Sequence, residues 1–316
     1  MRKQIAVIAI GGNSLIKHRE KQTVEDQYNA ICETIKQLVD LVELDYQLVI
    51  THGNGPQVGF IMLRSEIARD QIGLHIVPLS SCVADTQGAI GLQIQQALTD
   101  ELEKRNLAAR AVTIVTQVEV SPTDPGFLVP DKPIGEFYAK EKLPKLQEQH
   151  PEWILKEDSN RGYRRVVASP LPVKIVEENA VLALLENDFH VIAAGGGGVP
   201  VVRSDIGLTS VDAVIDKDKT ASLLATNLSA PLLVISTAVE QVMLNFGTNT
   251  EKALGKASVQ EMEEYLLAGH FAPGSMAPKI EAAIEFIKNG GQKVIITNPE
   301  NIGEAIRHGK GTQIIP

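Results

Sequence analysis

Three times in this chain a short, uninterrupted apolar run ends abruptly in glycine. AVIAI runs into Gly11-Gly12-Asn13-Ser14, LVIT into His52-Gly53-Asn54-Gly55-Pro56, and VIAA into Gly195-Gly196-Gly197-Gly198. Apolar runs of this length without polar alternation are what strands buried on both faces require. In open α/β sheets the carboxyl ends of such strands are where ligands bind. Glycine lets the backbone turn tightly there and come close to phosphate oxygens, while the amides of a following helix point at the anion. One such turn reads equally well as a tight strand-to-helix connection; three on one edge read as a phosphate site.

Two familiar phosphate motifs fail on spacing. The P-loop pattern G-x-x-x-x-G-K-[ST] finds its nearest candidate at Gly303 to Gly309-Lys310, with one residue too many and Gly311 after the lysine. The dinucleotide pattern G-x-G-x-x-G meets Val58 after Gly53 and Gly55, and Pro200 after Gly195 and Gly197, which argues against a dinucleotide-dependent oxidoreductase.

The same rhythm recurs along the chain. Strands are predicted at Ile5 to Ile10, Gln47 to Thr51, Arg110 to Thr116, His190 to Ala194, Leu232 to Ser236 and Lys293 to Thr297. Between them lie helical patterns. Thr23 to Leu44 places Ile31, Ile35, Leu38 and Val42 on one face behind a Thr23/Asp26 capping box. Residues 86–104, Lys174 to Glu186, and Lys219 to Leu228 read as helices. So do Ser258 to Ala268, with a Ser258/Glu261 box, and Pro278 to Asn289, closed by Gly290. This alternation predicts an α/β fold with a mostly parallel sheet covered on both faces. Residues 118–172 break the rhythm with Pro122, Pro125, Pro130, Pro133, Pro144 and Pro151, and read as a small subdomain or lid with hairpins. A lobe boundary falls near Leu208 to Val214, dividing the chain into 1–212 and 213–316.

Composition narrows the function. A net charge of −9 argues against a nucleic-acid surface, and one tryptophan among 4% aromatics leaves little for stacking on bases. Cys32 and Cys82 are too few for a disulfide scaffold and have no metal-ligand spacing. The apolar start, Ile5 to Ile10, reads as a first strand rather than a leader, and no apolar segment is long enough to span a membrane.

Three lysines have unusual surroundings. Lys132 sits between Asp131 and Pro133, in Pro130-Asp131-Lys132-Pro133, where the flanking prolines stiffen the backbone. Lys217 lies between Asp216 and Asp218, and Lys279 follows Pro278 at the first turn of a helix. The macrodipole disfavours a cation at a helix N-terminus unless an anion also binds there. Phosphoryl transfer calls for such groups, because its catalysis is mainly positioning and charge stabilisation. Asp218 is placed to hold lysines, to take part in metal binding, or to cap the helix that follows.

Together these segments resemble the carbamate kinases of the amino-acid kinase family. The matching stretches are AIGGNSL (9–15), THGNGPQVG (51–59), QGAIG (87–91), DPGFLVPDKPIGEFY (124–138), GYRRVVASPLP (162–172), AAGGGGVPV (193–201), VDAVIDKDKTASLLA (211–225), GSMAPKIEAAIEFI (274–287) and GTQIIP (311–316). The match runs from end to end, and the full set in this order is highly specific.

The resemblance implies a three-layer αβα sandwich with a mostly parallel open sheet, two lobes and a protruding subdomain. It implies a homodimer in the cytoplasm that uses ATP with Mg²⁺ to phosphorylate carbamate, yielding ADP and carbamoyl phosphate. It assigns Lys132, Lys217, Asp218 and Lys279 to catalysis. Gly11, Gly12, Asn13, Gly53, Asn54 and Gly55 would hold phosphate and substrate, and Asp216, Gly274, Ser275 and Met276 the nucleotide. Many family relatives carry a lysine two residues before the first glycine pair; here that position is Ala9, as it is in carbamate kinases, and Lys217 would supply the missing charge. Carbamate is already an anion and needs no general base, so His52 is expected to hydrogen-bond structurally. The chain departs from the usual pattern at Leu92 (Tyr), Glu136 (Pro), Ser80 to Asp85 and Thr297-Asn298-Pro299. These departures leave open a paralogue that phosphorylates a different small carboxylate or carbamate.

Overall fold

Side-chain alternation along the central strands sorts the core into two layers. In the strand Gln4–Ile10, Ala6, Ile8 and Ile10 face one side of the sheet and Val7 and Ala9 the other, all fully buried. Tyr46–His52 repeats the pattern, with Leu48 and Ile50 opposed to Val49. The computed structural model describes residues 3–12, 15, 23–108, 110–158 and 161–316.

Eight strands form the central sheet, in the order Lys256–Ser258, Thr312–Ile315, Lys293–Thr297, Leu232–Ser236, Gln4–Ile10, Tyr46–His52, His190–Ile192 and Ala111–Thr113. From Lys293–Thr297 to Ala111–Thr113 every pairing is parallel. Thr312–Ile315 runs antiparallel to Lys293–Thr297. One face is covered by helices Val24–Glu43, Leu79–Lys104 and Ile302–His308, through residues such as Ile35, Leu38, Ile94 and Leu98. The other is covered by Glu178–Glu186, Lys217–Asn227, Val259–Leu267 and Ala277–Lys288, through Val181, Leu224, Met262 and Phe286. The fold is therefore the expected three-layer α/β sandwich with a mostly parallel sheet. Among the described residues no helix is long and apolar enough to cross a membrane.

Local capping signals are realised. Thr23 and Ser258 each accept a hydrogen bond from the backbone of the third helical residue, and Asp26 and Glu261 bond back. Gly290 follows the Ala277–Lys288 helix with φ of 98°. Other expectations need correction. Residues from Lys174 do not begin a helix: Pro172–Ile175 is a strand pairing with Gln117–Val120, and the helix starts at Glu178. The strand expected to run from Arg110 to Thr116 ends at Thr113, after which the chain enters that second sheet. The helix expected from Lys219 begins at Lys217, with Asp216 as its cap, so Asp218 is inside the first turn and is not the cap.

Between Gln117–Val120 and Pro172–Ile175 the chain builds a three-stranded antiparallel sheet in the order Lys132–Tyr138, Tyr163–Val167, Ile154–Glu157. Ile134 and Val167 of this sheet pack against Val58 and Met62 of the helix Gln57–Ile72 and against Val83 and Val199. Apolar packing thus seats the excursion on the helix that follows the second glycine turn.

His190 ties two of the central strands together. Its buried Nδ1 accepts a hydrogen bond from the Leu48 amide at 3.0 Å, so this nitrogen carries no proton. Burial, with Lys3 adding, pushes its pKa down to about 4. The unfolded chain therefore takes up a proton, below the ordinary histidine value of 6.5, that the folded chain refuses. His190 costs no stability above that pH, and its cost grows as pH falls towards 4. We expect denaturation midpoints to fall over this interval, and His190→Asn, which keeps an acceptor for Leu48, to reduce the slope by about one proton, or ~1.4 kcal/mol per pH unit at most. An unchanged slope in His190→Asn would sink the assignment.

Candidate active site

The three glycine turns lie on adjacent strands, at the same edge of the sheet. The Gly195–Gly198 turn is closely packed. A Cβ on Gly195 would stand 2.2 Å from His52 Nε2, and one on Gly197, whose φ is 90°, would stand 2.3 Å from the Ile215 carbonyl. Before them Ala194 adopts φ of 54°. Two hydroxyls hold it there: its amide donates to Thr116 Oγ1 at 2.9 Å, and its carbonyl accepts from Thr51 Oγ1 at 2.8 Å. His52 is buried, and its Nδ1 donates to the Gly53 carbonyl at 2.9 Å. Burial brings its pKa down to about 4, so the ring is neutral near pH 7.

The three lysines converge. Lys217 Nζ donates to Asp218 Oδ1 at 2.5 Å, and Lys279 Nζ to Asp218 Oδ2 at 2.7 Å. Lys132 Nζ donates to Asp216 Oδ2 at 2.9 Å, and Asp216 Oδ1 accepts from the Asp218 amide at 3.0 Å. Lys132 comes from the excursion, Lys217 and both aspartates from the start of one helix, and Lys279 from the start of another. Burial works to raise the pKa of both carboxyls. The ammonium of Lys132 overrides it at Asp216, and those of Lys217 and Lys279 override it at Asp218, leaving both carboxylates charged. Burial, helped by the nearby Lys279, lowers the pKa of Lys217 against the pull of Asp218.

These groups line a cavity of about 380 Å³ with Gly12, Gly53, Asn54, Gly55, Asp216, Gly274 and Ser275. Asn54 Nδ2 donates to Thr86 Oγ1 at 3.1 Å. The stem of Lys217 passes Gly53: a Cβ there would lie 3.8 Å from the lysine carbons, an ordinary packing contact. Gly11 is buried and does not line the cavity; a Cβ on it would stand 2.7 Å from the Ser236 carbonyl on the neighbouring strand. Asn13 lies outside the described residues. Met276 lines a second, largely apolar cavity of about 170 Å³ with Met243, Phe246 and Phe271, which shares Ser275 and Lys279 with the first. The sequence reading did not single out Arg164, Gly135 or Val58, which also line the larger cavity. For Arg164 and Gly135 the signal is the strand alternation of the excursion, visible only once its strands are placed, whereas Val58 stands on the helix Gln57–Ile72.

Comparisons with known proteins show the family. The model of the amino acid kinase family matches residues 4–298. The chain is 50% identical over 314 residues to the carbamate kinase-like protein YahI of Escherichia coli (strain K12), covering 99% of each. It is 45% identical over 309 residues to the carbamate kinase of Staphylococcus haemolyticus, covering 98% of each. The solved structure of Giardia lamblia carbamate kinase bound to AMP-PNP superposes with a TM-score of 0.92 at 38% identity, over 99% of this chain and 98% of that one.

Asp218 is only 3% exposed and is shared by two ammonium groups. Neutralising it leaves two like charges facing each other in a buried site, for which a loss of roughly 3–5 kcal/mol is typical. Asp218→Asn is therefore expected to lower the denaturation midpoint strongly, and added phosphate to recover part of the loss by taking the place of the missing charge. A midpoint unchanged from the parent would contradict this electrostatic account.

Proposed function

The chain belongs to the amino acid kinase family, and on that premise we propose that it is a carbamate kinase, moving a phosphoryl group reversibly between ATP and carbamate. The observation that carries the reading is the convergence of Lys132, Lys217 and Lys279 on one cavity beside the glycine turns. Carbamate oxygen attacks the γ-phosphorus, the bond from that phosphorus to the bridging oxygen breaks, and ADP leaves. The oxygen is already anionic, so no side chain need remove a proton, and His52 has no such part to play. The ammonium groups offset charge that spreads over the transferring phosphoryl, and Asp218 keeps Lys217 and Lys279 in register.

Residues 1–212 are proposed to form the acceptor lobe and the dimer surface, and residues 213–316 the nucleotide lobe. The excursion, about 118–172, would bring Lys132 over the site as a lid. Gly12, Gly53, Asn54 and Gly55 would approach the phosphates, with Gly11 allowing close strand contact behind them; Asn13, next in sequence after Gly12, is proposed to share that task. Asp216, Gly274, Ser275 and Met276 would flank the nucleotide, whose base suits the apolar cavity. No group of three carboxylate, histidine or cysteine side chains among the described residues is placed to cage a metal. Mg²⁺ is proposed to enter with the nucleotide, carried on its phosphates. When bound, the ion would neutralise phosphate charge. A cytoplasmic homodimer making ATP in arginine or other nitrogen catabolism is the setting we propose.

Purified protein given ADP, carbamoyl phosphate and Mg²⁺ should form ATP. No turnover at high enzyme concentration would remove the reading, and stronger activity on another small carboxylate would favour a paralogue. Lys279→Ala is expected to cut turnover by about 10²-fold or more, as loss of a preorganised charge stabiliser does.

A further inference from the structure

Three of the cations on this cavity are lysines. The fourth is Arg164, and it is built into the wall differently. It stands on the strand Tyr163–Val167, where alternation sends Arg164 and Arg165 to opposite faces. Arg165 turns away, donating to Asp212 at 2.6 Å and lying 4.9 Å over the Trp153 ring. Arg164 turns to the cavity. One terminal nitrogen donates to Asp158 Oδ2 at 3.2 Å and the other to the Gly135 carbonyl at 3.0 Å. That carbonyl is free of the ladder because Gly135 sits at an irregularity in the strand pairing, with φ of 69°. The guanidinium also lies 5.0 Å over the Phe137 ring.

Its orientation is thus fixed from three sides, yet its Nε–H is buried with no partner. A buried unpaired donor costs free energy, and a cavity wall is where a ligand relieves that cost. The donor type matters. A lysine is a compact point charge suited to a phosphoryl group, whereas a guanidinium edge presents parallel N–H groups that match a planar carboxylate-like group.

We propose that Arg164 binds the planar acceptor half of the reaction, the N–C(=O)–O unit of carbamate or carbamoyl phosphate, through its Nε edge. The lysines are left to the phosphoryl group. The assignment rests on the carbamate kinase reading above. It gives the excursion two tasks: Lys132 for the moving phosphoryl and Arg164 for the acceptor.

The test is steady-state ATP formation from ADP and carbamoyl phosphate by the full chain and its Arg164→Gln, Arg164→Lys and Arg161→Gln variants. Arg164→Gln should raise KM for carbamoyl phosphate roughly tenfold or more, as expected for loss of a charge-assisted hydrogen bond, with KM for ADP unchanged. Arg164→Lys keeps the charge but not the planar edge, and should show a smaller rise in the same constant. It also serves as the decisive variant if the glutamine form does not fold. Arg161, whose guanidinium lies 4.6 Å over the same Phe137 ring, controls for packing of the excursion, and Arg161→Gln should leave both constants unchanged. Addition of guanidinium ion to Arg164→Gln should lower the raised KM. An unchanged KM for carbamoyl phosphate in the Arg164 variants, or a parallel rise in both constants, overturns the assignment while an active parent enzyme leaves the kinase reading intact. A parent that makes no ATP overturns the kinase reading, and this assignment with it.

Discussion

A single buried carboxylate holds two ammonium groups that would otherwise repel each other. Asp218 lies between Lys217 at 2.5 Å and Lys279 at 2.7 Å, and its own charge survives burial only because both are there. The dependence is mutual. Burial drives Lys217 toward its neutral form, and the Asp218 carboxylate is what pulls against it. Two helices from separate parts of the chain therefore meet at this point, and the cavity takes its shape from where they begin.

The sheet makes that meeting possible. Parallel strands bring all their carboxyl ends to one edge, so residues far apart in sequence arrive together without long connections. Gly12, Gly53 and Gly196 reach the cavity from three adjacent strands, and the stem of Lys217 runs past Gly53. The apolar layers on both faces fix the strands beneath. Electrostatics at the edge and close packing in the middle are two parts of one design: rigid support allows like charges to be held close.

Much of this was legible in the sequence, because its signals are local. The apolar runs marked the central strands, the glycines marked their shared edge, and the boxes at Thr23 and Ser258 marked helix starts. The helix Gln57–Ile72 was not read, because it buries only Val58, Met62 and Ser65 and shows no continuous apolar face. The segment from Lys174 was misassigned because its residues suit a helix until the pairing with Gln117–Val120 claims them. Arg164 was invisible for a different reason: two adjacent arginines read as a solvated pair until a strand turns them to opposite faces. The grouping of the lysines was suspected from their neighbours, but which aspartate serves which lysine is a matter of three-dimensional placement.

The ion pair between Lys132 and Asp216 has a consequence for release as well as for binding. Any anion that draws the Lys132 ammonium toward itself must compete with a carboxylate already 2.9 Å away. Part of the attraction is spent in breaking that pair and regained when the anion departs. The arrangement works as a partner exchange, which tempers affinity for ligands bearing several negative charges and keeps the site from being clogged by its own product.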